Sequence, residues 1–346
     1  MFYVVGCHVI NMGANFFPPL LTEGGNYYIS TLYDSFFMMA VDCFVIISGY
    51  FGIKLRAKKI VSLMLPVYFY SIVLGGAFCV MGLGRFSLSN LFPVLRNSYW
   101  FLTSYLMLCL FSPFLNNYVS NSSKQLLLKM LCVLYFLFSI IPSFSFFSLT
   151  HDDGFGIINF IVMYLTGRFL AKIKERLSYS WIKLLLIHLL IVTIIFSENI
   201  IGGIFFNYNN GYQGVFWHYD NLFVILGSIT LFLLFLNIKF ENNAKVSRAI
   251  CWLSPSFFYI YIIHCTSPLQ GFLFKIVDEE WFINAPLFFI NTILIAILIY
   301  VVCLLIDIVV RRLLLQAAFS FAEKISMRVY NKVDNIVLSK SNKLLQ

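Results

Sequence analysis

Val41-Asp42-Cys43-Phe44-Val45-Ile46-Ile47-Ser48-Gly49-Tyr50-Phe51 runs on through Gly52 and Ile53 into Lys54-Leu55-Arg56-Ala57-Lys58-Lys59. An apolar run holding one carboxylate and stopping on four cations describes a membrane segment that ends at a positively charged face. Lipid offers backbone N–H and C=O groups no partners, so a segment of this length satisfies them internally as an α-helix. Reading outward in both directions, apolar stretches of about 20 residues recur with short breaks. The whole chain shares their character: 60% of its 346 residues are hydrophobic, 11% are charged and the mean hydropathy is +0.87. Soluble domains carry roughly 45–50% apolar residues, so the fold class is all-α, a polytopic integral membrane protein with no separate soluble domain.

Spans are expected at 1–12, 32–53, 60–83, 99–116, 126–148, 155–170, 181–205, 221–238, 250–274 and 284–310, about ten transmembrane helices in all. Pro66, Pro113, Pro142, Pro255 and Pro268 are expected to kink them or mark their ends. Of the 24 Lys and Arg, 21 fall on one side of these spans and only Arg85, Arg96 and Lys275 on the other. The positive-inside rule makes the first side cytoplasmic and places both termini there. Residues 1–312 form the membrane-embedded domain. In the tail, 313–346, Leu314, Ala318, Phe321, Ile325 and Val329 make one helical stripe beside Lys324, Arg328 and Lys332. That pattern suits a helix lying on anionic lipid, and a solvated tail is the alternative.

The net charge of +9 is spread without a continuous patch or a nucleic-acid motif, so nucleic acid is not an expected partner. The eight cysteines lie in or beside apolar segments, as small hydrophobes, with no disulfide framework and no CxxC metal spacing. No metal is expected. The outward loops carry Phe16, Phe17, Tyr27 and Tyr28, then Tyr208, Tyr212, Trp217, His218 and Tyr219, aromatics that either stack on sugar rings or form an interfacial belt.

Ionisable groups at membrane depth are costly and mark functional sites. His8, Asp42 and His264 stand out. A neutral His8 is able to take a proton from a hydroxyl as it attacks a thioester, though a helix-packing hydrogen bond is the alternative. Asp42 needs a partner and would orient an imidazole or bind a cation. Lys54 to Lys59 would grip phosphates, and positive-inside placement explains the same charges.

His8, the Val41–Phe51 run with its basic cluster and Pro66, Tyr-Trp-Phe-Leu-Thr-Ser-Tyr-Leu (99–106), Ser-Pro-Phe-Leu-Asn (112–116), Tyr-Leu-Thr-Gly-Arg (164–168) and Phe-Phe-Tyr-Ile-Tyr-Ile-Ile-His (257–264) occur in an order and spacing that resembles the bacterial acyltransferase 3 family over roughly residues 1 to 312. The resemblance implies ten membrane helices in the bacterial inner membrane. It implies transfer of an acyl group, often acetyl, from cytoplasmic acyl-coenzyme A to a carbohydrate acceptor, a hydroxyl of a surface polysaccharide or related glycan. His8 matches the family's catalytic histidine, with Asp42 expected to orient it. Arg56, Lys58 and Lys59 are expected to hold the coenzyme, the lysine at 59 departing from an Arg-x-x-Arg-like pair. His264, Trp217 and Tyr212 are expected on the acceptor side. The family's basic residue ten or eleven positions before its histidine would precede Met1, and the first apolar run is short for a crossing of about 30 Å at about 1.5 Å per residue. The physiological start is therefore expected upstream. The rival readings are a polysaccharide polymerase or ligase, which calls for a large outward loop with arginines, and a transporter, which calls for internal repeats.

Overall fold

Backbone groups that lipid cannot satisfy bond to one another within helices, which make up most of the described residues, with no strand among them. The structure is a computed structural model and describes residues 1–13, 25–145, 149–206, 218–238, 244–275, 287–314, 316–317, 320–321 and 324–328. In chain order the helices are α1 Phe2–His8, continued by a π-turn Val9–Gly13, α2 Gly25–Phe37, α3 Ala40–Phe51, α4 Ala57–Val80, α5 Leu88–Leu91, α6 Trp100–Asn121 and α7 Lys124–Tyr135. A second π-turn, Phe136–Ile140, leads to α8 Ile141–Ser145, and then follow α9 Ile157–Lys172, α10 Trp181–Phe206, α11 Leu222–Asn237, α12 Ala244–Cys265, α13 Ser267–Lys275 and α14 Phe288–Ile306, which continues as a π-turn Asp307–Leu314.

Every segment expected to span contains helix. Among the described residues five stretches are both long and apolar enough to cross a bilayer: Tyr28–Phe51, Ala57–Val80, Lys124–Phe144, Trp181–Gly202 and Phe288–Leu313. Two shorter apolar helices, Phe2–Asn11 and Leu222–Asn237, accompany them. The second segment starts earlier than its hydropathy suggests, at Gly25 rather than residue 32. Ser30, Thr31, Asp34 and Ser35 depress the local hydropathy, yet all four are buried, so they face the bundle interior together with Tyr33 and Phe37. Pro66, Pro113 and Pro255 lie inside α4, α6 and α12 without ending them. Large apolar side chains such as Val80, Leu95 and Phe114 are exposed, the reverse of a water-soluble surface.

The tightest packing is between α3 and α9. A Cβ on Gly49 would strike the Tyr164 carbonyl, and one on Gly167 would strike the Ile46 carbonyl, so the two backbones touch only because both positions are glycine. The end of α3 is tied down at the same place: Tyr164 Oη accepts from Ile53 N at 3.0 Å and donates to Asn116 Oδ1 at 2.7 Å, and Asn116 Nδ2 donates to Ile53 O at 2.8 Å. Lys172 Nζ donates to the Val119 and Ser122 carbonyls at the end of α6.

Among the described residues three apolar clusters fill the bundle, and α1 is wedged between the two larger ones. Cys7 and Ile10 pack with the cluster built from α2, α3, α6, α9, α10 and α11, while Val5 and Val9 pack with that of α4, α6, α12 and α14. At the far end of α14, the fully buried Asp307 accepts two bonds from Arg311, each 2.7 Å, and one from Ser256 Oγ at 2.6 Å. Arg312 donates to Trp252 O and Ser256 Oγ, each at 2.7 Å, and locks α12 to the π-turn.

Filling the α3–α9 contact is expected to unfold the bundle. Gly167→Leu should destabilise by about 1–3 kcal/mol or more, read as a lower thermal midpoint in detergent, whereas Gly76→Ala, where a Cβ meets nothing within 4 Å, should leave the midpoint in place.

Candidate active site

His8 is the last residue of α1, at the point where the helix widens into its π-turn. That position turns the imidazole toward the end of α12. His8 Nδ1 lies 2.9 Å from His264 Nε2, with the ring centroids 5.0 Å apart at 48°. The other nitrogen of His264, Nδ1, is 2.6 Å from the Ile260 carbonyl one turn back.

The hydrogen-bond network assigns the protons. A carbonyl only accepts, so His264 Nδ1 carries a proton and donates it to Ile260 O. In the neutral ring Nε2 is then an acceptor, which makes His8 Nδ1 the donor between the rings. His8 Nε2 is left as a lone pair, the form a general base needs. Cys265 Sγ completes the group, 3.7 Å from His8 Nδ1 and 3.6 Å from His264 Nε2. Thr266 donates to Ile262 O at 2.9 Å and so accepts from Tyr99 Oη at 2.9 Å, which fixes the end of α12 against α6.

His8 opens onto a cavity of about 290 Å³ walled by Phe37, Phe44, Trp100, Phe101, Tyr219 and Tyr261. Trp100 and Tyr219 rings lie 5.5 Å apart at 31°. Next to His8, Cys7 Sγ and Asn11 Nδ2 both donate to the buried Asp34 Oδ1, at 3.5 and 3.3 Å.

The expected site residues divide. His8 and His264 meet. Asp42 takes a different partner: Asn159 Nδ2 donates to its Oδ1 at 3.0 Å, and Asn159 also reaches Gly154 O at 3.2 Å. The reason is helical phase. Val41 lines the cavity, and the next residue points about 100° away, toward α9. The orienting contact expected of Asp42 is thus made by His264. Arg56 and Lys58 are exposed at the start of α4, and the half-buried Lys59 places Nζ 3.5 Å from Tyr105 Oη, which in turn lies 3.2 Å from Ser48 Oγ. Trp217 and Tyr212 lie outside the described residues. Their neighbour His218 sits 3.4 Å from Asp153; burial holds its pKa below the ordinary imidazole value, and the Asp153 charge opposes that shift. Asp34 and Cys265 were not singled out in the sequence. Asp34 is an ionisable group inside an apolar segment, the same signal that selected Asp42, and Cys265 adjoins a selected histidine.

The family model described as an acyltransferase domain matches residues 1–309. The chain belongs to the acyltransferase 3 family. It is therefore a membrane acyltransferase, and the His8–His264 pair sits within the matched domain of this acyltransferase 3 protein. No curated protein and no solved structure matches the chain.

The proton assignment is directly measurable. Nitrogen-15 spectra of the histidine-labelled acyltransferase in detergent should show both His8 and His264 protonated at Nδ1, and His264→Ala should release His8 to a mixture of tautomers. A His8 ring protonated only at Nε2 in the intact protein would reverse the direction of the chain.

Proposed function

We propose that this protein is an O-acyltransferase that moves an acyl group, acetyl in the simplest case, from acyl-coenzyme A to a hydroxyl of a cell-surface polysaccharide or related glycan. The observation that carries the reading is the His8–His264–Ile260 chain opening on an apolar cavity. In this mechanism His8 Nε2 accepts the hydroxyl proton as the acceptor oxygen attacks the thioester carbonyl. The new C–O bond forms, the C–S bond breaks, and the proton passes to the departing thiolate. His264 keeps the His8 ring in its basic tautomer and accepts the hydrogen bond of the imidazolium that forms. The apolar wall keeps water from competing for the thioester.

Arg56, Lys58 and Lys59 hold the coenzyme phosphates. Electrostatics support this site: three cations gather at the start of the 24-residue α4, where no side chain caps the first turn and the helix dipole favours anions. Trp217 and Tyr212 belong to the acceptor side in this reading, and Trp100 and Tyr219 add an aromatic pair that suits a sugar ring. The distribution of Lys and Arg supports ten spans in the bacterial inner membrane, with both termini and the coenzyme site cytoplasmic and residues 313–346 lying on the inner leaflet.

Transfer from labelled acetyl-coenzyme A to polysaccharide in membranes tests this. His8→Ala is expected to lower kcat by roughly 10²–10⁴-fold with the protein still in the membrane. Lys59→Ala is expected to raise the KM for the coenzyme while leaving that for the acceptor unchanged. Near-normal transfer by His8→Ala would return His8 to helix packing.

A further inference from the structure

The geometry points to a second occupant of the same pocket: a borderline-soft divalent cation such as Zn²⁺, held by His8 Nδ1, His264 Nε2 and Cys265 Sγ, that reversibly blocks acyl transfer. The blocking half rests on the catalytic role proposed for His8. The binding half does not.

Three features support it. The first is the ligand set, two imidazole nitrogens and a thiol that converge within reach of one ion, a combination that favours zinc over magnesium or calcium. The second is the spacing. Zinc bonds of about 2.0–2.1 Å to nitrogen and about 2.3 Å to sulfur, set at tetrahedral angles, require N···N of about 3.3 Å and N···S of about 3.6 Å. The protein holds N···S at 3.6 and 3.7 Å already, and N···N at 2.9 Å, so the two rings need part by only a few tenths of an ångström. The third is the support behind the ligand. A metal-binding histidine usually donates its other N–H to a carbonyl or carboxylate, which fixes the ring and its tautomer. His264 does this through Ile260 O at 2.6 Å, leaving Nε2 as the ligand atom without rearrangement.

Binding changes the protons in a definite way. The Cys265 thiol loses its proton to water, and His8 moves its proton from Nδ1 to Nε2. The metal therefore takes the nitrogen that linked the rings and removes the lone pair proposed to accept the hydroxyl proton. The three protein ligands leave a fourth position for water. No pattern in the sequence announces such a site, because His8 and the adjacent pair His264 and Cys265 are separated by 256 residues.

The full chain in detergent, titrated with Co²⁺ as a coloured substitute for Zn²⁺, tests the inference. One Co²⁺ per chain is expected, with thiolate-to-metal charge transfer, tetrahedral d–d bands, and loss of both on adding Zn²⁺. Cys265→Ser should abolish the charge-transfer band, and both Cys265→Ser and His264→Ala should weaken binding by about tenfold or more. Cys109→Ser, at a buried thiol in the other apolar cluster, should alter neither. Thermal unfolding identifies any variant that has lost its fold, and the charge-transfer band of the remaining variants decides. Equal Co²⁺ binding by wild type and Cys265→Ser overturns the site. In the transfer assay, Zn²⁺ should inhibit with the midpoint found for Co²⁺ displacement. Binding without inhibition leaves the metal site standing and removes His8 from the reaction; inhibition undiminished in Cys265→Ser places the inhibiting metal elsewhere.

Discussion

The backbone contact between α3 and α9 is what the rest of the bundle depends on. Where Gly49 meets Tyr164 and Gly167 meets Ile46, there is no room for even a methyl group, so the two helices can approach only at this register. In lipid, helices gain little from burying apolar surface against one another, and close packing with a few polar contacts has to provide the cohesion. The Tyr164, Asn116 and Ile53 bonds and the Asp42–Asn159 bond then become possible along the same seam. With α3 fixed in this phase, Val41 and Phe44 face the cavity and the Lys54–Lys59 cluster begins at a defined point.

The helical class and the positions of the helices were legible because lipid writes one rule into every segment: bury the backbone bonds and surround them with apolar side chains. His8 and His264 were legible as costly residues in an apolar setting. Their partnership was not, since no local pattern relates the first helix to the twelfth. Asp42 illustrates the limit. Its type and depth marked it correctly as a residue in need of a partner, but the choice between His8 and Asn159 depends on which side of α3 faces which neighbour, and hydropathy does not contain that angle. The motif residues Asn116, Tyr164 and Gly167 were legible as a pattern only, and in the fold they are the parts that secure the end of α3.

The His8–His264 pair lies at a seam between apolar clusters rather than inside one. Because α1 contributes Cys7 and Ile10 to one apolar cluster and Val5 and Val9 to the other, the helix that carries His8 is held from both sides while its last residue remains open to the cavity. Polar groups there are expensive unless paired. The pairing is nearly self-contained: His8 with His264, His264 with its own helix, and Cys7 and Asn11 with Asp34.

The helix α12 has one further consequence. Ser256 and Trp252 bind the Asp307–Arg312 lock at one point along it, and His264 stands eight residues further on, about 12 Å along a single continuous helix. His264 is anchored to that same helix through Ile260, so its ring cannot swing independently of the rod. A small roll of α12 therefore carries the His264 ring with it and changes the gap between the two imidazoles, so the Asp307–Arg312 lock and the His8–His264 contact are two ends of one mechanical part.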